Sequence, residues 1–142
     1  WPNAPMDDPA QGIMAEPRML HTQDNEATWW RIVDAPKALS QRGYNSNAEL
    51  VFKLDGDDLA PWNNGTWSLQ TSADDATDSQ VTPVKKTPEL TLSIKTLTGL
   101  FSGMYGAQTL ANWGMVQGEP EAIAKADALF ATRHKPHCPD HY

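Results

Sequence analysis

Cysteine occurs once in this sequence, at Cys138. A single thiol excludes an internal disulfide framework and fits a reducing, cytoplasmic setting. Long hydrophobic runs are missing too: no stretch approaches the ~18 residues that a membrane-spanning helix needs. The first twenty residues hold four prolines and no apolar segment of the signal-peptide kind. Positive charge is scarce and scattered. Eleven Lys and Arg face eighteen Asp and Glu, for a formal net charge of -7. Without a basic stripe, neither nucleic acid nor an anionic membrane is an expected partner. Glycine-rich strand-to-helix turns that cradle phosphates are also absent, because Gln41-Arg42-Gly43 and Gln117-Gly118 are too short. No G-x-S-x-G nucleophile turn occurs. The chain is therefore expected to bind no cofactor of its own.

What remains is 142 residues, 39% hydrophobic and 20% charged, which suits one globular domain with a single core. The chain opens on Trp1-Pro2 rather than Met, which favours a piece of a longer polypeptide over a processed terminus. Residues 1–27, rich in Pro, Asp, Gln and Asn, read as an irregular lead or linker from an upstream domain, with one ordered piece near Arg18–His21. Residues 28–142 read as the domain proper.

Within it, Thr28–Val33 is aromatic and β-branched and predicts a strand. Asp34 is placed to cap a short helix from Ala35 to about Arg42, with Pro36 in its first turn and Gly43 closing it. Glu49–Leu54 alternates, with Leu50, Phe52 and Leu54 on one face. Asn64-Gly65 signals a tight turn into a strand over Thr66–Thr71 that faces Trp67 and Leu69 inward. Gln80–Thr87 is a strand that Pro83 confines to an edge or a bulge. Glu89–Ile94 alternates again. The period then lengthens: Leu97, Leu100, Phe101 and Met104 fall at helical spacing behind the cap Ser93. Gly103 and Gly106 break this run before a helix at Ala107–Trp113. Gly118-Glu119-Pro120 opens a last helix with Ile123, Ala126, Leu129 and Phe130 buried. Strands grouped before helices predict an α+β fold, a mostly antiparallel sheet of about five strands with helices packed on one face.

Several motifs carry less than they suggest. Asp55-Gly56-Asp57-Asp58 fails the EF-hand pattern and reads as a solvated acidic turn. Asn64-Gly65-Thr66 is a formal glycosylation sequon better explained as a turn. Arg31, Lys37 and Arg133 have no partner at a catalytic spacing and read as solvated. Trp30, Phe52, Trp67, Phe101, Met104 and Trp113 could line an apolar pocket, although aromatics and Met at such spacings usually form core.

The terminus, Pro136-His137-Cys138-Pro139-Asp140-His141-Tyr142, is unusual. Two prolines fix φ, and two histidines, the cysteine and an aromatic end a segment that is normally featureless. His134, His137, Cys138 and His141 are the sharpest zinc candidates by residue type. They lie too close together, with prolines between, to wrap a tetrahedron readily, so no metal is expected. Placement of the tail by Pro136, Cys138, Pro139, Asp140 and His141 explains these residues better, and the group so placed is the α-carboxylate of Tyr142.

Several of these blocks come in a recognisable order: Arg31–Leu39, Glu49–Leu54, Asn64-Gly65-Thr66-Trp67, Pro88–Leu100 and Cys138-Pro139-Asp140-His141-Tyr142. In this series the chain resembles the C-terminal domain of GNAT N-acetyltransferases of the enhanced intracellular survival (Eis) type, a domain related to the sterol carrier protein fold. The resemblance implies a sterol-carrier-like sheet and acetyl-CoA bound in an upstream GNAT domain of the same polypeptide. It also implies that the terminal carboxylate, here that of Tyr142, reaches back to the acceptor amine. Such tails often end in Phe, so the Tyr142 phenol is a departure that adds a polar handle. An α-carboxylate has an ordinary pKa of about 3.5, so its easier role is to bind and orient a cationic amine. On this reading the chain is inactive alone. The alternative is a stand-alone carrier of a lipid or another apolar ligand. Homo-oligomer formation stays open.

Overall fold

The computed structural model describes residues 4–23, 28–74 and 78–139. Its elements run α1 (Ala10–Ile13), a 3-10 turn (Pro17–Met19), α2 (Ala35–Ser40), β1 (Ala48–Leu54), a second 3-10 turn (Pro61–Asn63), β2 (Gly65–Thr71), β3 (Gln80–Pro83), β4 (Leu90–Leu92), α3 (Ile94–Phe101), α4 (Ala107–Asn112), β5 (Val116–Gly118) and α5 (Pro120–Phe130). The five strands form one sheet in the order β3-β2-β1-β4-β5. Every pairing is antiparallel except β1 with β4. The fold is α+β with a mostly antiparallel sheet, as the grouping of strands before helices predicts.

Register explains the core. Leu50 pairs with Leu69, and Phe52 sits between Trp67 and Leu90. Leu54 lies beside Leu92, which faces Val116. Side chains alternate along a strand, so these rows present one apolar face. Ala35 and Leu39 of α2, Leu97 and Leu100 of α3, Leu110 of α4, and Ala126 and Leu129 of α5 join it in a single cluster. The other face carries Glu49, Lys53 and Ser68, with Glu49 accepting from Ser68 and Lys86. Val51, on that face, is nonetheless buried opposite the equally buried Ser68. The ladder beside it is completed by a side chain: Glu89 N–H donates to Val51 O, and the Glu89 carboxylate accepts from Val51 N–H. Partial burial opposes ionisation of Glu89. Its bonds from Lys125 and Val51 outweigh that, and its carboxyl sits below the ordinary value.

Local signals hold where caps decide. Asp34 accepts from Lys37 N–H and Ser93 from Thr96 N–H, starting α2 and α3. The helix α2 ends at Ser40 without using Gly43, because Gln41 N–H already turns back to Ala38 O. Pro83 ends an edge strand, as its missing N–H requires.

The structure corrects four expectations, two of secondary structure and two of exposure. Thr28–Val33 is not a strand. Only Ile32 of this stretch enters the core, and its main chain is satisfied by side chains. Thr98 Oγ1 accepts from Ile32 N–H, while Trp62 Nε1 and Asn63 Nδ2 donate to Val33 O. The fifth strand is instead Val116–Gly118, which has one buried residue, Val116, and so no readable alternation. The Asn64-Gly65 pair makes no tight hairpin. Residues 55–64 form a longer connection, and Gly65 begins β2 with φ +144.

That connection also corrects the reading of Asp57 as solvated. Asp57 is 2% exposed. Its carboxylate accepts from Ala60 N–H at 3.0 Å, from Asn63 Nδ2 at 2.9 Å and from the Arg31 guanidinium. Arg31 is therefore paired rather than free. Asn63, fully buried, also accepts from Ala35 N–H at 2.8 Å. The clamp fixes the entry into α2 against the β1–β2 connection. Among the described residues, no helix is long and apolar enough to cross a membrane.

Candidate functional site

Two places deserve the name of site: the C-terminal tail and a cleft beside the start of α2. The tail leaves α5 over Gly103, whose φ is +75. A Cβ there would stand 2.3 Å from Thr132 Oγ1, so only glycine lets the chain pass. Thr132 Oγ1 donates to His134 O at 2.9 Å. Lys135 is then held on both sides. Its ammonium donates to Met104 O at 2.7 Å and Gly103 O at 3.3 Å. Its main-chain N–H donates to Asp7 Oδ2 at 3.1 Å, and His134 Nδ1 lies 3.4 Å from the same oxygen. The Lys135 N–H holds the Asp7 carboxyl below its ordinary value; the carboxylate's own main chain and His134 add to this, and partial burial opposes it. The lead segment thus touches the tail.

Beyond Lys135, Pro136 and Cys138 are half-buried, and His137 and Pro139 are exposed. Asp140, His141 and Tyr142 lie outside the described residues, and so does the carboxylate expected to act. Among the described residues, no three His, Cys, Asp or Glu side chains converge on a common metal position.

The cleft is an open depression of about 500 Å³ lined by Trp29, Trp30, Arg31, Ile32, Val33, Asp34, Lys37, Ala38, Gln41, Thr98 and Phe101. Trp29 is 85% and Trp30 59% exposed. Of the six residues expected to share a pocket, Trp30 and Phe101 meet here. The other four do not. Phe52, 3% exposed, is core. Trp67 packs on the core from the sheet and donates from Nε1 to Asn63 O. Met104 lies under the tail, where its carbonyl takes the Lys135 ammonium. Trp113 is exposed and meets the ring edge of Tyr105 at 5.0 Å. The apolar spacing marked faces of elements, and the sheet put those faces in different places.

One organising residue escaped the sequence. Arg42 donates to Phe101 O at 3.1 Å, to Phe130 O at 2.9 Å and to Gly43 O at 2.9 Å. It lies 5.2 Å from the Tyr44 ring and 5.1 Å from the Phe130 ring. One guanidinium therefore caps the C-terminal ends of both α3 and α5, where carbonyls carry the negative end of the helix dipole. Burial pushes the Tyr44 phenol up, against the pull of Arg42. No sequence signal marks Arg42, because its partners are carbonyls and carbonyls have no residue type.

Known proteins give this architecture a context. An N-acetyltransferase of Streptomyces avermitilis, described as uncharacterized, is 33% identical over 136 residues; the match takes in 94% of this chain and 31% of that protein. The chain thus spans about a third of the length of the curated relatives it matches. Among solved structures, Eis1 from Mycobacterium abscessus superposes with a TM-score of 0.79 at 29% identity, over 97% of this chain and 34% of that one. A GCN5-related N-acetyltransferase from Anabaena variabilis superposes with a TM-score of 0.66 at 34% identity, over 74% of this chain and 26% of that one. The family model described as sterol carrier protein domain matches residues 35–139, from the first turn of α2 to the tail, so the chain belongs to the sterol carrier protein domain family.

Proposed function

We propose that this chain is the C-terminal, sterol-carrier-like domain of an acetyl-CoA-dependent GNAT N-acetyltransferase of the Eis type. On this reading acetyl-CoA binds in an upstream domain of the same polypeptide, and this domain shapes the acceptor site and supplies the Tyr142 α-carboxylate. The observation that carries the proposal is the likeness to Eis1 over 97% of this chain but only 34% of that protein. The relatives described as N-acetyltransferases point the same way. The held tail supports the role given to its end. Lys135 is anchored by its main chain and its side chain, and Pro136 and Pro139 restrict φ in the residues that follow. A carboxylate so delivered binds and orients an ammonium, and passes its proton on through water.

The test is the complete polypeptide with Tyr142 amidated at its carboxyl by semisynthesis. Turnover of an amine acceptor should fall about a hundredfold, the order expected when a reacting group loses its position. Unchanged turnover overturns the role of the carboxylate.

A second reading has one observation of its own. The 500 Å³ cleft with Trp29, Trp30 and Phe101 is of a size that takes a small apolar ligand. Such a ligand would quench the tryptophans on titration with a fatty acid. A flat titration rejects the carrier reading.

A further inference from the structure

We propose that Asp7 is a positioning residue: its carboxylate clasps the tail at Lys135 and sets where the last residues leave the domain. The inference rests on the reading that the Tyr142 carboxylate serves the acceptor site, and deepens it by naming what aims that group. Asp7 lies in the lead, 128 residues from the main-chain N–H it accepts. That N–H has no helix or strand to bond within, since residues 134–139 belong to neither. Asp7 Oδ2 takes it at 3.1 Å and has His134 Nδ1 at 3.4 Å. On its other side the tail is fastened through the Lys135 ammonium to Gly103 O and Met104 O. The two fastenings differ. The ammonium sits on a flexible stem and tolerates several main-chain paths. The bond to Asp7 is made by the main chain itself, so it fixes the path. Downstream, Pro136 and Pro139 restrict φ, so an error in direction at Lys135 is carried on by the residues that follow it.

The experiment compares the unaltered chain with Asp7→Ala and Asp7→Asn, in the complete polypeptide. Asp7→Asn keeps an oxygen for the Lys135 N–H. Amide exchange at Lys135 should quicken about tenfold in Asp7→Ala and much less in Asp7→Asn, the order expected for a lost charge-assisted bond. The thermal midpoint of the domain should move only slightly. Turnover should follow the tail: kcat/KM for the amine falls in Asp7→Ala, KM for the acetyl donor holds, and Asp7→Asn restores most of the loss. Unchanged exchange at Lys135 overturns the clasp. Faster exchange with unchanged turnover overturns its positioning role, provided amidation of Tyr142 still lowers turnover. If amidation also has no effect, the carboxylate reading is the one that fails, and the exchange result alone judges the clasp.

Discussion

Two aspartates, Asp57 and Asp7, each tie separate parts of the chain together with a carboxylate, in opposite surroundings. Asp57 is 2% exposed and joins Ala60, Asn63 and Arg31; through Asn63, which accepts from Ala35 N–H, the β1–β2 connection, the approach to α2 and the start of α2 are tied together. The Asp7 side chain is 30% exposed and joins the tail, through Lys135 and His134. In both, donated hydrogen bonds hold the carboxyl below its ordinary value of 3.8, led by Asn63 at Asp57 and by the Lys135 N–H at Asp7. The chemistry is the same and the consequences differ. A buried carboxylate whose bonds are shared among several segments belongs to the folding unit. A half-exposed one that binds a single strand of chain governs only that chain.

The comparison breaks first at Asn63. Asn63→Ala removes the acceptor for Ala35 N–H and the donors to Asp57 and Val33. With buried partners left unsatisfied, the loss should be about 3 kcal/mol, read from the urea midpoint of unfolding. Arg42→Met comes next. It strands the carbonyls of Phe101 and Phe130 and should cost about 2 kcal/mol. Arg42→Lys should recover little, because an ammonium lacks the planar fork that reaches both helix ends.

A pH titration sharpens the contrast. Both carboxyls have folded values below the unfolded one, so each contributes its stability above the ordinary 3.8 and loses it as pH falls through the lowered value. Stability of the whole domain should fall steeply below pH 3.8 through Asp57, and Asp57→Asn should flatten that slope. The tail should come loose over the same acid range, and Asp7, the more exposed of the two, should contribute only a small part of the global loss. The smallest effect is that of Asp7→Ala on the thermal midpoint, expected to be slight. A large shift there would mean that the clasp belongs to the folding unit after all.

The candidate site was legible in part. The tail announces itself through Pro136, Cys138 and Pro139, residues that a frayed end has no use for. Nothing announces Asp7, one acid in a lead rich in Asp and Pro, because its partner is a main-chain N–H at the far end of the chain. Asp57 was read as solvated for the same reason. An acidic run looks alike whether one member points into solvent or into a knot of Asn63, Ala60 and Arg31.

By itself the sequence determined what depends on neighbours along the chain. Asp34 and Ser93 cap helices because their oxygens reach an N–H three residues on. Leu50, Phe52 and Leu54 share a face because strand side chains alternate, and Pro83 stops a strand because it has no N–H to give. Only the tertiary structure decided the rest. It made Val116–Gly118 the fifth strand in place of Thr28–Val33, by offering β4 as a partner to the first and side chains to the second. It laid Arg42 across two helix ends and closed Asp7 on the tail. The reason is common to all three. A backbone N–H or carbonyl must find a partner, every residue but proline carries both, and which one it finds is settled by where the folded chain brings it.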